Sequence, residues 1–433
     1  MSSTRSERPD PGRNMRTRRC LLGILLALSQ VPAGAQTEAI TMPDSRIREA
    51  IALMDAFATR TGLNGTQPPR RYLWTDAFAV CNYLGLARAS GEPQYTEQAL
   101  QLVAQVHQVL GRHRDDDTRS GWISGLGEAD GERHPTRGGL RIGKPLPERG
   151  PREPYDERSE WDRDGQYFHY LARWMHTLDQ VARATREPVF NTWARELSLA
   201  TFNAFTYQPA PHIEPHRIAW KMSIDLSRIL VPSMGQHDPL EGYINNLQLQ
   251  STAVALRQPA GEPDLEPGTR QYAAMLKRTE LATADPLGLG GLLIDAWRLQ
   301  QLMQQGTPSE AQLLERLLQA ALLGLEHYAR GNELEQPARY RLAFRELGLA
   351  IGLHALERMH QAAGETGTTA WLRAQLEELM RYLPLRETIL TFWRNPEHQL
   401  TASWIEHQDI NAVMLATALA PAGVLDLLPV DKE

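Results

Sequence analysis

Leu84–Val109 reads LGLARASGEPQYTEQALQLVAQVHQV, and Leu178–Phe205 reads LDQVARATREPVFNTWARELSLATFNAF. Both follow one plan: an apolar helical run, a breaker of the form x-Glu-Pro-x-aromatic, then an amphipathic helical run. Gly91-Glu92-Pro93 and Arg186-Glu187-Pro188 are the breakers, and Gly306-Thr307-Pro308 is a third of the same kind. Each ends one helix and places Pro near the first turn of the next, where its missing N–H costs nothing. The unit is an αα-hairpin, and it repeats in degenerate form.

Working outward, apolar residues recur with a 3.6-residue period along most of the chain, and strand-like alternation is almost absent. The periodicity predicts helices near 44–62, 72–90, 93–112, 160–185, 189–206, 239–256, 268–283, 287–305, 308–330, 338–363, 368–382 and 403–419. A dozen paired helices can form an open solenoid or a closed double ring. Inner helices of a ring are covered on every side and should be apolar all round, as Phe78–Ala87 and Leu287–Trp297 are. Outer helices should be amphipathic, as Glu97–Leu110 and Glu310–His327 are. That alternation predicts an all-α fold: one (α/α)6 toroid over residues 36–433, with six inner and six outer helices. Two irregular stretches, 113–158 and 208–238, are expected to cover one end as ordered loops, because each carries an indole (Trp122, Trp220) that a disordered linker would not.

Composition agrees with a single large folded unit. The chain has 433 residues, 42% hydrophobic and 23% charged, with a net charge of -6 and two cysteines. No Lys/Arg run in the body of the chain speaks for a nucleic-acid partner. Six Arg precede the apolar run Leu21–Leu28, and Ala33-Gly34-Ala35 follows it. Residues 1–35 are therefore expected to be a secretory signal cleaved after Ala35, giving a periplasmic or secreted protein with no stable membrane span. The paired Arg18-Arg19 also fits a twin-arginine route. Cleavage would move the charge from -6 to about -10 and leave Cys81 as the sole thiol, a small core residue.

Acidic residues open the apolar helices: Trp74-Thr75-Asp76, Trp161-Asp162-Arg163-Asp164, His237-Asp238-Pro239, Asp285-Pro286 and Trp404-Ile405-Glu406-His407. In a ring their N-termini would converge on one funnel of carboxylates, imidazoles and indoles. Paired carboxylates serve glycoside hydrolysis, one protonating the leaving oxygen and the other acting as base or nucleophile. Indoles stack on sugar rings, and a Lys or Arg beside them suits an acidic sugar. Each Asp taken singly reads first as an ordinary helix cap, and Ser159-x-x-Asp162 has the form of a capping box. Asp164 is set apart by lying three, four and seven residues before Tyr167, Phe168 and Leu171, one stripe of the expected helix 160–185. Asp164, Asp76 and Asp238 are thus the catalytic candidates. Trp74, Trp122, His134, Arg137, Trp161, His169, Trp220, His237, Trp404 and His407 are the substrate-binding ones. The histidines lack metal-ligand spacing, and no P-loop, dinucleotide fingerprint or nucleophile elbow is present, so no metal or cofactor is expected. Leu287-Gly288-Leu289-Gly290-Gly291 begins a helix and reads as close packing.

The helix pairs, the Gly/Arg-x-Pro-x-aromatic breakers and the segments Tyr72–Gly91 and Trp161–Leu178 resemble the six-hairpin glycosidase-like superfamily. The resemblance implies an (α/α)6 toroid acting on carbohydrate, as glycoside hydrolase or, alternatively, as sugar epimerase or polysaccharide lyase. In some of those hydrolases an Asp following Trp on an inner helix is the general acid, and Asp76 or Asp164 would be its counterpart. Fold does not fix function there, so a non-catalytic toroid binding glycan or a cell-envelope partner is the remaining reading.

Overall fold

The computed structural model describes residues 44–210, 216–258, 263–364, 369–428 and 430. The expected signal segment lies outside the described residues. Among the described residues, thirteen helices of eleven residues or more make up the body. They are α1 (Ser45–Arg60), α2 (Leu73–Ser90), α3 (Gln94–Leu110), α4 (Phe168–Thr185), α5 (Pro188–Phe205), α6 (Asp238–Ala255) and α7 (Glu266–Leu276), followed by α8 (Pro286–Gln304), α9 (Ala311–Arg330), α10 (Ala343–Ala363), α11 (Ala370–Met380), α12 (Pro384–Arg394) and α13 (Gln408–Leu419).

Six of them close a ring. α2 packs on α4, α4 on α6, α6 on α8, α8 on α10, α10 on α13, and α13 back on α2. Outside lie α3, α5, α7, α9 and α11, each against the inner helix that precedes it. The sixth pair joins the first and last long helices, α1 against α13. The chain is therefore the expected (α/α)6 toroid, with α12 as an additional helix packed on α10 and α13. Inner helices are buried all round, as the sequence required: every residue of α2 from Leu73 to Leu86 is buried. The breakers work through left-handed residues, with Gly91 at φ 73°, Arg186 at φ 61° and Gly306 at φ 97°. The glycines of α8 are packing residues: a Cβ on Gly290 would sit 2.1 Å from the Gly348 carbonyl oxygen on α10.

The C-terminal segment seals the ring axis at the C-terminal ends of the inner helices. Gln180 donates to the Gly423 and Asp426 carbonyls at 2.9 Å, and Gln301 donates to Leu425 at 2.8 Å. Cys81 is buried in this core, as read from the sequence.

Two expectations need correction. The helix expected over 160–185 starts only at Phe168. Gly165 at φ 147° breaks it, and Gln166–Tyr167 (β1) instead pairs antiparallel with Lys221–Met222 (β4). The capping box at Ser159 is not formed: Asp156 caps a four-residue turn, accepting from the Ser159 N–H at 2.7 Å. β4 also pairs with Ile229–Val231 (β5), and Thr206–Tyr207 (β2) pairs with Arg217–Ile218 (β3), so the second irregular stretch holds short strands that the sequence did not announce.

Candidate functional site

The N-terminal ends of all six inner helices line one cavity of about 670 Å³. α2 contributes Trp74 and Phe78, α4 His169 and Arg173, and α6 Asp238 and Glu241, with His237 just before it. α8 contributes Leu287 and Gly291, α10 Phe344 and Arg345, and α13 Ile410 and Met414, with Glu406 and His407 preceding it. The two irregular stretches close over the same end with Gly143, Lys144 and Pro145 from the first and Trp220 from the second, and Trp161 joins them from the turn before β1.

One wall is aromatic. Trp161 meets Trp220 edge-on at 5.1 Å, Trp220 stacks on Tyr167 at 5.0 Å, and Tyr170 and Tyr72 continue the row at 5.1 and 5.6 Å. Trp161 remains 51% exposed, a large apolar face left open beside the cavity.

A charged cluster from α2, α4 and α6 forms the next wall. The Trp74 indole N–H donates to His169 Nε2 at 3.2 Å. An indole can only donate, so Nε2 carries the lone pair and Nδ1–H donates to Glu241 Oε2 at 2.7 Å. Glu241 Oε1 receives Arg173 Nη2 at 2.8 Å. Burial would raise the Glu241 carboxyl, but His169 and Arg173 outweigh it and hold the carboxyl below the usual range. Asp238, one helical turn earlier, forms no ion pair among the described residues, and His169 only partly offsets its surroundings. Burial first, and the Glu241 charge second, push it up to about 7, while the Gly235 N–H donates to its Oδ2 at 2.7 Å. Two neighbouring carboxyls on one helix are thus driven apart, one ionised and one holding its proton near neutrality.

Two histidines lie on opposite sides of the ring, three inner helices apart. His237 Nε2–H donates to the Leu281 carbonyl at 2.9 Å, and among the described residues no hydrogen bond reaches its Nδ1. His407 packs edge-on to Phe344 at 5.6 Å. Among the described residues, no hydrogen bond or ion pair reaches the His407 imidazole or the neighbouring exposed Glu406 carboxylate. No three His, Cys, Asp or Glu side chains gather as a metal-ligand set among the described residues.

The structure divides the sequence-predicted residues. Asp238, Trp74, Trp161, His169, Trp220, His237 and His407 line the cavity. Asp164 does not. It lies on no helix, its stripe having vanished with the helix break, and it is fully buried. Arg141 Nη1 meets its Oδ2 at 2.6 Å and Arg114 Nη1 at 3.4 Å, while the Gly143 N–H donates to Oδ1 at 3.0 Å. Asp76 is also sealed away: it accepts the Tyr72 N–H at 2.9 Å and pairs with Arg71 at 3.3 Å, the capping alternative for an acidic residue in a first turn. Trp122 fills the first loop's own core, under the Arg112 guanidinium at 4.4 Å. His134 and Arg137 do contact an anion, but it is Glu196 of α5, at 2.8 and 2.9 Å. Trp404 is buried on Trp393 with ring centres 5.8 Å apart. Asp285 caps α8 through the Gly288 N–H at 2.8 Å and pairs with Arg345. Glu241, Arg173 and Lys144 were missed. The i, i+3 spacing of Asp238 and Glu241 was the available signal for the first.

No protein-family profile matches the sequence, and no curated protein is similar enough to count as a relative. Solved structures do match. A GH76 alpha-mannanase of Bacteroides thetaiotaomicron is 10% identical with a TM-score of 0.53, over 88% of this chain and 97% of its own. An inactive variant of the alpha-1,6-mannanase of Salegentibacter sp., in complex with alpha-1,6-mannotriose, is 12% identical at 0.48, over 87% and 99%. The cellobiose 2-epimerase of Spirochaeta thermophila is 14% identical at 0.45, over 88% and 99%. At such identities the likeness to the first bears on fold alone, and the fold is the six-hairpin (α/α)6 toroid.

Proposed function

We propose that the protein is an exported carbohydrate-active enzyme, a glycoside hydrolase with Asp238 as general acid. The carrying observation is the Asp238 carboxyl itself: it stands on the wall of the cavity and keeps its proton up to about pH 7, so it can protonate a leaving oxygen. Glu241 is occupied by His169 and Arg173 and serves to hold that side of the cavity. The base is Glu406, an unpartnered carboxylate three places round the ring, on the far side from Asp238. A separation of about 6.5–9.5 Å between acid and base, with a water between, would correspond to inversion at the anomeric carbon, and about 5–5.5 Å to retention. Trp161 and Trp220, the latter backed by Tyr167, give the sugar a stacking wall.

Reducing-sugar release by the purified protein from a panel of oligosaccharides, α-1,6-mannotriose among them, tests this. Asp238→Asn and Glu406→Gln should each lower kcat at least about a hundredfold. Full activity in Asp238→Asn would remove Asp238 from the chemistry. Export is tested by fractionation and by an N-terminus at Gln36.

One observation favours a second reading, a sugar epimerase. His237 and His407 line the same cavity from inner helices three places apart, and two imidazoles can remove and return a proton on opposite faces of a sugar carbon. Deuterium uptake from D2O into a sugar C–H without release of reducing ends, abolished in His237→Gln, would decide for it.

A further inference from the structure

Two lysines lie in the cover over the cavity, and their surroundings differ. Lys221 is structural: its Nζ donates to the Glu160 and Arg163 carbonyls at 2.8 and 2.9 Å and pairs with Glu160 at 2.9 Å. Lys144 stands on the cavity wall, and among the described residues no hydrogen bond or ion pair reaches its Nζ. Its contact is the face of Tyr72, 5.5 Å from Nζ to the ring centre, at the end of the aromatic wall. Asp162 and Asp164 are the acidic groups whose charges act on it, and neither forms an ion pair with it. Burial outweighs both and lowers its pKa, so as it stands the ammonium is poorly solvated and poorly matched.

The backbone that presents Lys144 is held firmly. Gly143 sits at φ 92°, and a Cβ there would lie 2.3 Å from the Arg71 carbonyl oxygen. Asp164 Oδ1 accepts the Gly143 and Lys144 N–H groups at 3.0 and 3.4 Å, and Arg114 donates to the Lys144 carbonyl at 2.7 Å. The most heavily satisfied carboxylate in the cover thus serves to fix a lysine whose own head group has nothing to bind.

We propose that Lys144 is a specificity residue, selecting sugars that carry an oxyanion, carboxylate or phosphate, over their neutral counterparts. The sugar ring would stack on Trp220 while the charged substituent reaches the ammonium beside Tyr72. The two other cations on the wall do not compete, since Arg173 is engaged by Glu241 and Arg345 by Asp285. This inference rests on the carbohydrate reading of the cavity and adds the charge of the ligand to it.

The test is calorimetric titration of the purified protein with three matched ligands: a hexose, its hexuronate and its 6-phosphate. One or both anionic forms should bind at least about tenfold more tightly than the neutral sugar, the advantage shrinking between 50 and 500 mM NaCl. The uronate-to-phosphate ratio tells which oxyanion the site is shaped for. Lys144→Met should bring the ratio of anionic to neutral affinity to about one, and Lys144→Arg should restore part of it. If Lys144→Met does not fold, Lys144→Gln and the salt dependence of the wild type carry the same comparison. Neutral and anionic sugars bound equally well, or a preference intact in Lys144→Met, would overturn the proposal and leave the carbohydrate reading standing. No binding of any of the three, nor of any oligosaccharide in the panel, would overturn both.

Discussion

Replacing Asp238 by Asn should stabilise the protein, and do so increasingly as pH rises. The Asp238 carboxyl titrates at about 7 in the folded chain, whereas an unfolded Asp titrates near 3.9. A folded pKa above the unfolded one means the native state holds the proton more tightly. The stability this contributes is complete below about pH 4 and is lost as pH climbs through about 7. For those two values the loss between pH 5 and pH 8 integrates to about 2–3 kcal/mol. Asn cannot ionise and loses nothing over that interval, and its amide oxygen can still accept the Gly235 N–H. An unfolding entropy of about 2.1 cal/mol/K per residue over about 390 residues converts the difference to about 3 °C. Scanning calorimetry of both proteins at pH 5 and pH 8 should therefore show the Tm gap widening by about 3 °C in favour of the variant. Other titrating groups are common to both proteins and cancel. A gap that stays constant from pH 5 to pH 8 would refute the reasoning, because a carboxyl with an ordinary pKa could not carry the proton assigned to it.

Asp164→Ala should destabilise by about 3–5 kcal/mol in denaturant melts, since it leaves Arg141 and Arg114 charged without their carboxylate; a cost under about 1 kcal/mol would contradict the anchoring role. Gly290→Ala should lower Tm by about 3 °C, the cost of about 2–3 kcal/mol coming from a Cβ driven against backbone that cannot rotate away. A melt within one degree of wild type, checked by circular dichroism, would show that α8 and α10 can separate freely. Trp161→Ala, at a half-exposed position, should change stability by less than about 0.5 kcal/mol yet weaken oligosaccharide binding about fivefold by titration calorimetry. Unchanged affinity would take Trp161 out of the stacking wall.

The toroid was legible because its determinants are local. Breakers ending in Pro, helices apolar all round and glycines at a tight crossing each announce themselves within about twenty residues. α12 was not anticipated: its eleven residues follow a turn of only three after α11, and only Ile389, Leu390 and Trp393 are buried. The short strands escaped for a related reason, two or three residues being too few to show alternation. The site was only half legible. Convergence of helix starts on one funnel follows from the ring, but which acidic residue faces it depends on which cation claims each carboxylate, and the spacing of the residues does not mark that. Arg141, 23 residues before Asp164, and Arg71, five before Asp76, claim those two carboxylates. Among the described residues Asp238 forms no ion pair, and the lack of one cannot be read from one stretch of chain. The misjudged start of α4 did further harm, placing Asp164 on a stripe that does not exist.

The sixth hairpin has a consequence for how the chain becomes a protein. Its two members, α1 and α13, stand at opposite ends of the sequence, and the seam is fastened by contacts such as Thr417 Oγ1 donating to Asn82 Oδ1 at 2.9 Å across 335 positions. An open stack of helix pairs can grow from one end, each unit burying its face as it arrives. A ring cannot: α2, covered on all sides when complete, must wait with one flank bare until the final helix is available. Contacts so distant in sequence are expected to make assembly slow. Loss of the terminal residues from Gln408 onward would do more than shorten the molecule. It would remove one sixth of the circumference, leave apolar surface on both neighbours, and open the cavity along the side that carries Glu406.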